Sequence, residues 1–117
     1  MAGTDNRPNI LLIVTDQQRG DALGIAGHPV VQTPNMDEIG AFGTHFTRAY
    51  SAHPVCVPAR RTLMTGLTPH AHGMLQNDFM PMPNVTTIAQ AFRDQGYQAY
   101  AVGKLHVSPQ RQRIGFD

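Results

Sequence analysis

Cys56 opens the segment Cys56-Val57-Pro58-Ala59-Arg60-Arg61-Thr62-Leu63-Met64-Thr65-Gly66. Pro58 suits the first turn of a helix and Gly66 its end, which predicts a helix running from Ala59 to about Met64. A side chain at a helix N-terminus feels the positive end of the dipole, and unpaired amides there bind anions. Arg60, four residues after the cysteine, falls on the same helix face. A nucleophile in that setting meets an anionic ester already held by amides and a guanidinium. Cys56 is the only cysteine. A disulfide within the chain is therefore excluded and a thiolate metal cage is not expected. Without these neighbours, a lone cysteine reads as a small buried hydrophobe.

Two other points carry chemistry. Asp16 follows the apolar, β-branched run at residues 9–15, and Lys104 and His106 follow a second apolar run at residues 97–102. Both runs predict strands, the first of the kind buried on both faces of a parallel sheet. In open α/β sheets ligands bind outside the carboxyl ends of strands, where Asp16, Lys104 and His106 then lie.

The elements that must position these groups alternate in type. Thr33 as N-cap and Pro34 in the first turn start a helix ending near Gly43, with Met36, Ile39, Phe42 and Phe46 expected toward the core. A short strand is expected at 46–50 and a loop at 51–58. Beyond the Cys56 segment, residues 67–84 read as a loop rich in Pro, His, Gly and Met. Thr86-Thr87 caps a further helix through Gln95, with Ile88, Ala91 and Phe92 inward and Gly96 as its C′ residue. Strand, helix, helix, helix, strand is an α/β order with crossovers. Two strands do not make a parallel sheet with both faces covered, so residues 1–117 are expected to be the first portion of a larger domain.

Composition narrows the partners. A 41% hydrophobic and 15% charged chain is globular in character. A net charge of +1 offers no basic footprint for nucleic acid and no charge block for a membrane surface. The longest apolar run is too short to span a bilayer, and the N-terminus lacks the apolar core of a secretory signal, which points to the cytoplasm.

The Cys56 segment resembles the sulfatase signature, Cys-x-Pro-Ser/Ala-Arg followed by x-x-Leu-x-Thr-Gly, and matches it at every fixed position. The resemblance extends along nearly the whole chain. Arg7-Pro8-Asn9-Ile10 leading to Asp16 is similar to the family's first strand, and Thr33-Pro34-Asn35-Met36-Asp37 to its Thr-Pro-Asn-Leu-Asp helix start. Gly103-Lys104-Leu105-His106 is similar to its Gly-Lys-x-His motif, and Gly115-Phe116-Asp117 to the Gly-Phe-Asp that follows. The ordered set is far more specific than any one short match.

The resemblance implies an alkaline-phosphatase-like fold, a mixed sheet between helices on both faces, of which this chain supplies the N-terminal part. It implies hydrolysis of a small-molecule or carbohydrate sulfate ester. The family's cysteine is oxidised to formylglycine by a separate formylglycine-generating enzyme; its hydrate offers one oxygen to attack sulfur and a second to expel the product. By that resemblance Cys56 becomes the nucleophile, and Arg60 fixes it and its charge. Lys104 contacts nucleophile and sulfate, and His106 is the base. Asp16, Gln17 and residue 56 are the implied metal ligands, with Ca²⁺ ahead of Mg²⁺ or Mn²⁺. Further ligands and the leaving-group acid are drawn from later in the family's chains, so these 117 residues alone are expected to have negligible activity.

One departure bears on the substrate. Many sulfatases carry Asp-Asp at the end of the first strand, where this chain has Asp16-Gln17. Branches acting on choline sulfate or on phosphonate monoesters are similar in this respect, and Asn77 lies in a region that contacts the substrate anion in the latter. A phosphonate monoester or phosphodiester hydrolase is therefore the alternative enzyme, and an inactive fragment the non-enzymatic one. The His70-x-His72 pair reads as loop structure rather than a metal site, and Met74, Met80 and Met82 as gap-filling core or a pocket wall.

Overall fold

A computed structural model describes residues 6–117. The chain divides into two compact units, Met1–Ala49 and Tyr50–Asp117.

The first unit holds the helix α1, Pro34–Phe42. Pro34 stands in its first turn as expected, and Thr33 is the N-cap residue by position, but its side chain makes no cap bond. The Thr33 hydroxyl instead accepts from the Gly24 amide (2.8 Å) and donates to Asp37 Oδ1 (2.7 Å). Asp37 Oδ1 also accepts from the Ile25 amide (2.8 Å). The Thr-Pro-Asn-Met-Asp motif is thus a clasp: two polar side chains one helical turn apart hold the 24–25 loop. A Cβ at residue 24 would stand 2.2 Å from Asp37 Oδ2, so a larger residue there would displace the carboxylate that closes the clasp. The expected apolar face of this helix is not buried: Met36, Ile39, Phe42 and Phe46 are all exposed. Hydrophobic periodicity names a face without supplying its cover.

Residues 10–15 run without regular structure, and Ile10 to Val14 are all exposed. No strand is formed among the described residues, at 9–15, 46–50 or 97–102. A β-strand exists only as part of a ladder, and a single apolar run has no partner for its N–H and C=O groups.

The second unit is built on α2 (Cys56–Thr65), α3 (Pro69–His72) and α4 (Ile88–Asp94), with α2 packed on both others. Its core is Val57 and Pro58 from α2, Met74, Ala89 from α4, and Ile114. Of the α4 residues expected inward, Phe92 is half-buried, Ile88 and Ala91 are exposed, and the buried residue is Ala89. Phe92 meets Tyr97 edge to face at 5.2 Å. The cap was legible, with Thr87 Oγ1 accepting from the Gln90 amide. Residues 67–84 are not wholly loop. Thr68 caps the single turn α3, Pro69 starts it and Gly73 ends it in the left-handed region.

The Gly-Phe-Asp motif fastens the end of this unit to α4. The Thr87 hydroxyl donates to the Ile114 carbonyl (2.6 Å), and Arg93 pairs with Asp117 (2.9 Å). Ala99 and Asp117 exchange two hydrogen bonds, each 2.8 Å. Gly115 has φ 98°, and a Cβ there would lie 2.7 Å from the Gln90 amide nitrogen, so only glycine fits.

Candidate active site

Cys56 is the first residue of α2, half-buried, where the sequence placed it just before the helix. The helix starts without a side-chain cap from Val55. A cap arrives from a distance instead: Asn77 Oδ1 accepts from the Val57 amide at 3.0 Å. Pro58 has no N–H, and the Ala59 amide is bonded to the Val55 carbonyl. The amide cradle expected at this helix start is therefore largely occupied by the protein's own groups. An anion beside residue 56 must be held chiefly by side chains. Asn77, expected as an anion contact, has its carbonyl oxygen committed to the helix.

Arg60 lies one turn along α2 and donates from Nη1 to the Lys104 carbonyl oxygen. This bond joins the cysteine helix directly to the Gly103-Lys104-Leu105-His106 segment. Within that segment Gly103 has φ 103° and His106 φ 57°. A histidine in the left-handed region costs of order 1 kcal/mol or more, and such strain clusters where a side chain must be aimed. Arg60 and His106 line one small crevice with Val57, Arg61, Met64 and Met82. Lys104 and His106 line a second, larger groove of 610 Å³. The structure thus brings four expected site residues, Cys56, Arg60, Lys104 and His106, into one unit around one helix.

Asp16 and Gln17 belong to the first unit and are exposed. Gln17 has φ 56°, again left-handed for a residue other than glycine. Its neighbour Asp21 is held below the usual carboxylate range by the hydrogen bond from Arg19, an exposed pair. Among the described residues no three His, Cys, Asp or Glu side chains converge to hold a metal. An Asp carboxylate and a Gln amide oxygen are the hard donors that Ca²⁺ or Mg²⁺ takes, but Ca²⁺ takes about six to eight oxygens. The donor type fits, and the number of donors falls short of such a set.

Three features escaped the sequence reading. Arg61, four per cent exposed, donates to the Met80 carbonyl at 2.6 Å, and its Nε is buried without a partner. Burial pushes its guanidinium pKa down. With Asn77 it pins residues 77–80 to α2, and Ser108 Oγ donates to the Phe79 carbonyl (2.8 Å), carrying the link to the His106 segment. His72 is buried, its Nε2 3.1 Å from Thr62 Oγ1 and its Nδ1 accepting from the Met74 amide. That supports the structural reading of the His-x-His pair. The signature's variable positions Arg61 and Thr62 carried no signal for these roles.

The comparisons with known proteins agree with the motifs. The sulfatase family profile matches residues 8–117. An arylsulfatase of Clostridium perfringens is 40% identical over 111 residues, covering 94% of this chain and 23% of that protein. A ulvan-active sulfatase of Formosa agariphila is 40% identical over 119 residues, covering 95% and 23%. The solved structure described as "Crystal structure of Ps i-CgsB" superposes with TM-score 0.87 at 37% identity, covering 94% of this chain and 27% of that one. The chain thus spans about a quarter of the length of the proteins it matches. With the signature, its accompanying motifs and the backbone all in register, the chain belongs to the sulfatase family.

Proposed function

We propose that the protein carrying this chain hydrolyses a sulfate ester, R–O–SO₃⁻ plus water giving an alcohol and sulfate, with residue 56 as nucleophile. The observation that carries the proposal is the Arg60–Lys104 hydrogen bond, which ties the cysteine signature to the Gly-Lys-x-His motif. Arg60 and the Lys104 ammonium oppose the charge that develops on the transferred group. They do so with little help from helix amides, because Asn77 and Pro58 leave few available. The His106 imidazole takes the proton from the hydroxyl at residue 56 as the product leaves.

Formylglycine, made from Cys56 by a separate converting enzyme, would supply the hydrated aldehyde whose two oxygens attack sulfur and release sulfate. As a thiol, residue 56 does not suit a hard cation; as an oxygen donor it does, and Asp16 and Gln17 carry donors of the same hard type. A divalent ion held by such donors, Ca²⁺ first and Mg²⁺ or Mn²⁺ next, would draw charge from the transferred group. We also assign residues 9–15 and 97–102 to a mixed sheet completed by further chain. The exposed Ile10 to Val14 support this, since each such side chain gains about 1.5–3 kcal/mol on full burial.

The test is the mass of the peptide carrying residue 56, from protein produced beside the converting enzyme. Formylglycine lowers it by about 18 Da; an unmodified thiol that accompanies full turnover defeats the proposed nucleophile. Gln17, an amide where a second carboxylate is common, supports a second reading as a phosphonate monoester or phosphodiester hydrolase. Parallel kcat/KM values on aryl sulfate, phosphodiester and phosphonate esters separate the two.

A further inference from the structure

The 610 Å³ groove lined by Lys104 and His106 is lined also by Ser108, Gln110, Arg111 and Arg113. Its size lies in the roughly 300–1,000 Å³ range of small-molecule sites. Three permanent cations line it, and no Asp or Glu does. Lys104 is shared with the proposed sulfate site. Arg111 and Arg113 are exposed, and neither guanidinium has a hydrogen bond or ion pair with any described residue. Arg111 has φ 73°, an uncommon conformation for a residue other than glycine. Phe79, 89% exposed, presents an apolar face to the same groove, its carbonyl held by Ser108.

We infer that this groove binds the alcohol part of the substrate and selects one that carries a second anionic group, a carboxylate or a further sulfate, which Arg111 and Arg113 receive. The inference rests on the sulfate-ester reading of Lys104 and His106. Two planar guanidinium forks next to an acid-free wall match carboxylate and sulfate oxygens bidentately, as lysine would not. A neutral alcohol would leave them solvated and add nothing. A ring of the alcohol has the Phe79 face in the same groove to stack on.

Binding measured without turnover tests this. The whole protein with Cys56→Ala is titrated calorimetrically with three disaccharides: one monosulfated and otherwise neutral, one monosulfated with a uronate carboxylate, and one disulfated. At low salt at least one doubly anionic ligand is expected to bind about tenfold tighter, a difference of about 1.4 kcal/mol. The preference should shrink as salt rises, because the site is open to solvent. Arg111→Gln with Arg113→Gln should reduce it to within about twofold, and the paired lysine replacements should restore part of it. The carboxylate and sulfate arms show which group is read. Equal affinity for all three ligands, or a preference that survives the double glutamine variant, overturns the inference. A preference that holds while the unsubstituted protein cleaves no sulfate ester would instead overturn the hydrolytic reading and leave the groove assignment standing.

Discussion

The two units solve the problem of cohesion differently. Around Cys56 the chain has a small apolar core, Val57, Pro58, Met74, Ala89 and Ile114, and α2 is roped to its surrounding loops through Arg60, Arg61 and the Val57 amide. In the first unit no described residue is buried, and order rests on the Thr33–Asp37 clasp over Gly24 and Ile25. The unit that carries Cys56 is packed, while the unit bearing Asp16 and Gln17 is knotted by polar bonds and shows its apolar side chains to solvent. A family motif therefore does different structural work in the two places: in one it starts a packed helix, in the other it closes a loop.

The sharpest way to break the contrast is chemical. Arg60→Lys keeps the charge but loses the planar fork that reaches the Lys104 carbonyl. In the whole protein we expect kcat on an aryl sulfate to fall by roughly 10²–10³-fold, as when a donor aimed at developing charge is removed. Stability should fall by no more than the loss of one exposed hydrogen bond, about 1 kcal/mol, since Arg60 is outside the packed core. A large drop in the midpoint with kcat intact would make Arg60 a structural residue.

Gly115→Ala tests packing in the second unit. The new methyl would meet the Gln90 amide at 2.7 Å and Thr87 Oγ1 at 2.6 Å, at a φ of 98°. Backbone cannot yield as a flexible side chain can, so we expect about 2–3 kcal/mol of destabilisation in denaturant unfolding. Thr33→Val tests the clasp in the first unit. The shape is kept while the Gly24 amide loses its acceptor and Asp37 a donor. About 1–2 kcal/mol is expected, read as faster hydrogen exchange at Gly24 and Ile25 with the protection of α2 amides unchanged. If exchange accelerates equally in both units, their independence as cohesive bodies is wrong.

What could be read from sequence follows the range of the forces involved. Local signals were legible: Thr87 before α4, Pro34 in α1, and Gly66 ending α2 in the left-handed region. The meeting of the signature's Arg60 with the 103–106 segment accords with fixed spacing within a family, which reports a fixed geometry. Asn77 capping Val57 from 20 residues away was not legible, nor was Arg61 buried under the Met80 carbonyl. In both cases the partner is remote in the chain, and no local pattern encodes it. The inward faces of α1 and α4 were misjudged because periodicity fixes only which residues share a side. Which side is covered depends on what lies across from it, and Phe42 and Ile39 are exposed.

The smallest expected effect is a pH dependence in the packed unit. His72 is buried, and its pKa is pushed below the ordinary 6.5, first by loss of solvent and then by the positive charge of Arg61, with His53 adding a little. Its Nδ1 accepts from the Met74 amide, which assigns the proton of the neutral ring to Nε2, facing Thr62 Oγ1. Protonating Nδ1 would turn that acceptor into a second donor aimed at an N–H. The unfolded chain thus binds the proton more readily than the folded one. Stability is fully present above about pH 6.5 and declines as pH falls from there toward the lower folded pKa, below which the loss stops growing. His72→Gln removes the titrating group, so the difference in unfolding free energy between pH 7.5 and pH 5.5 should be smaller in the variant than in the parent. An identical difference in both would mean that the proton is taken up elsewhere and that the His72 contact with Met74 survives charging.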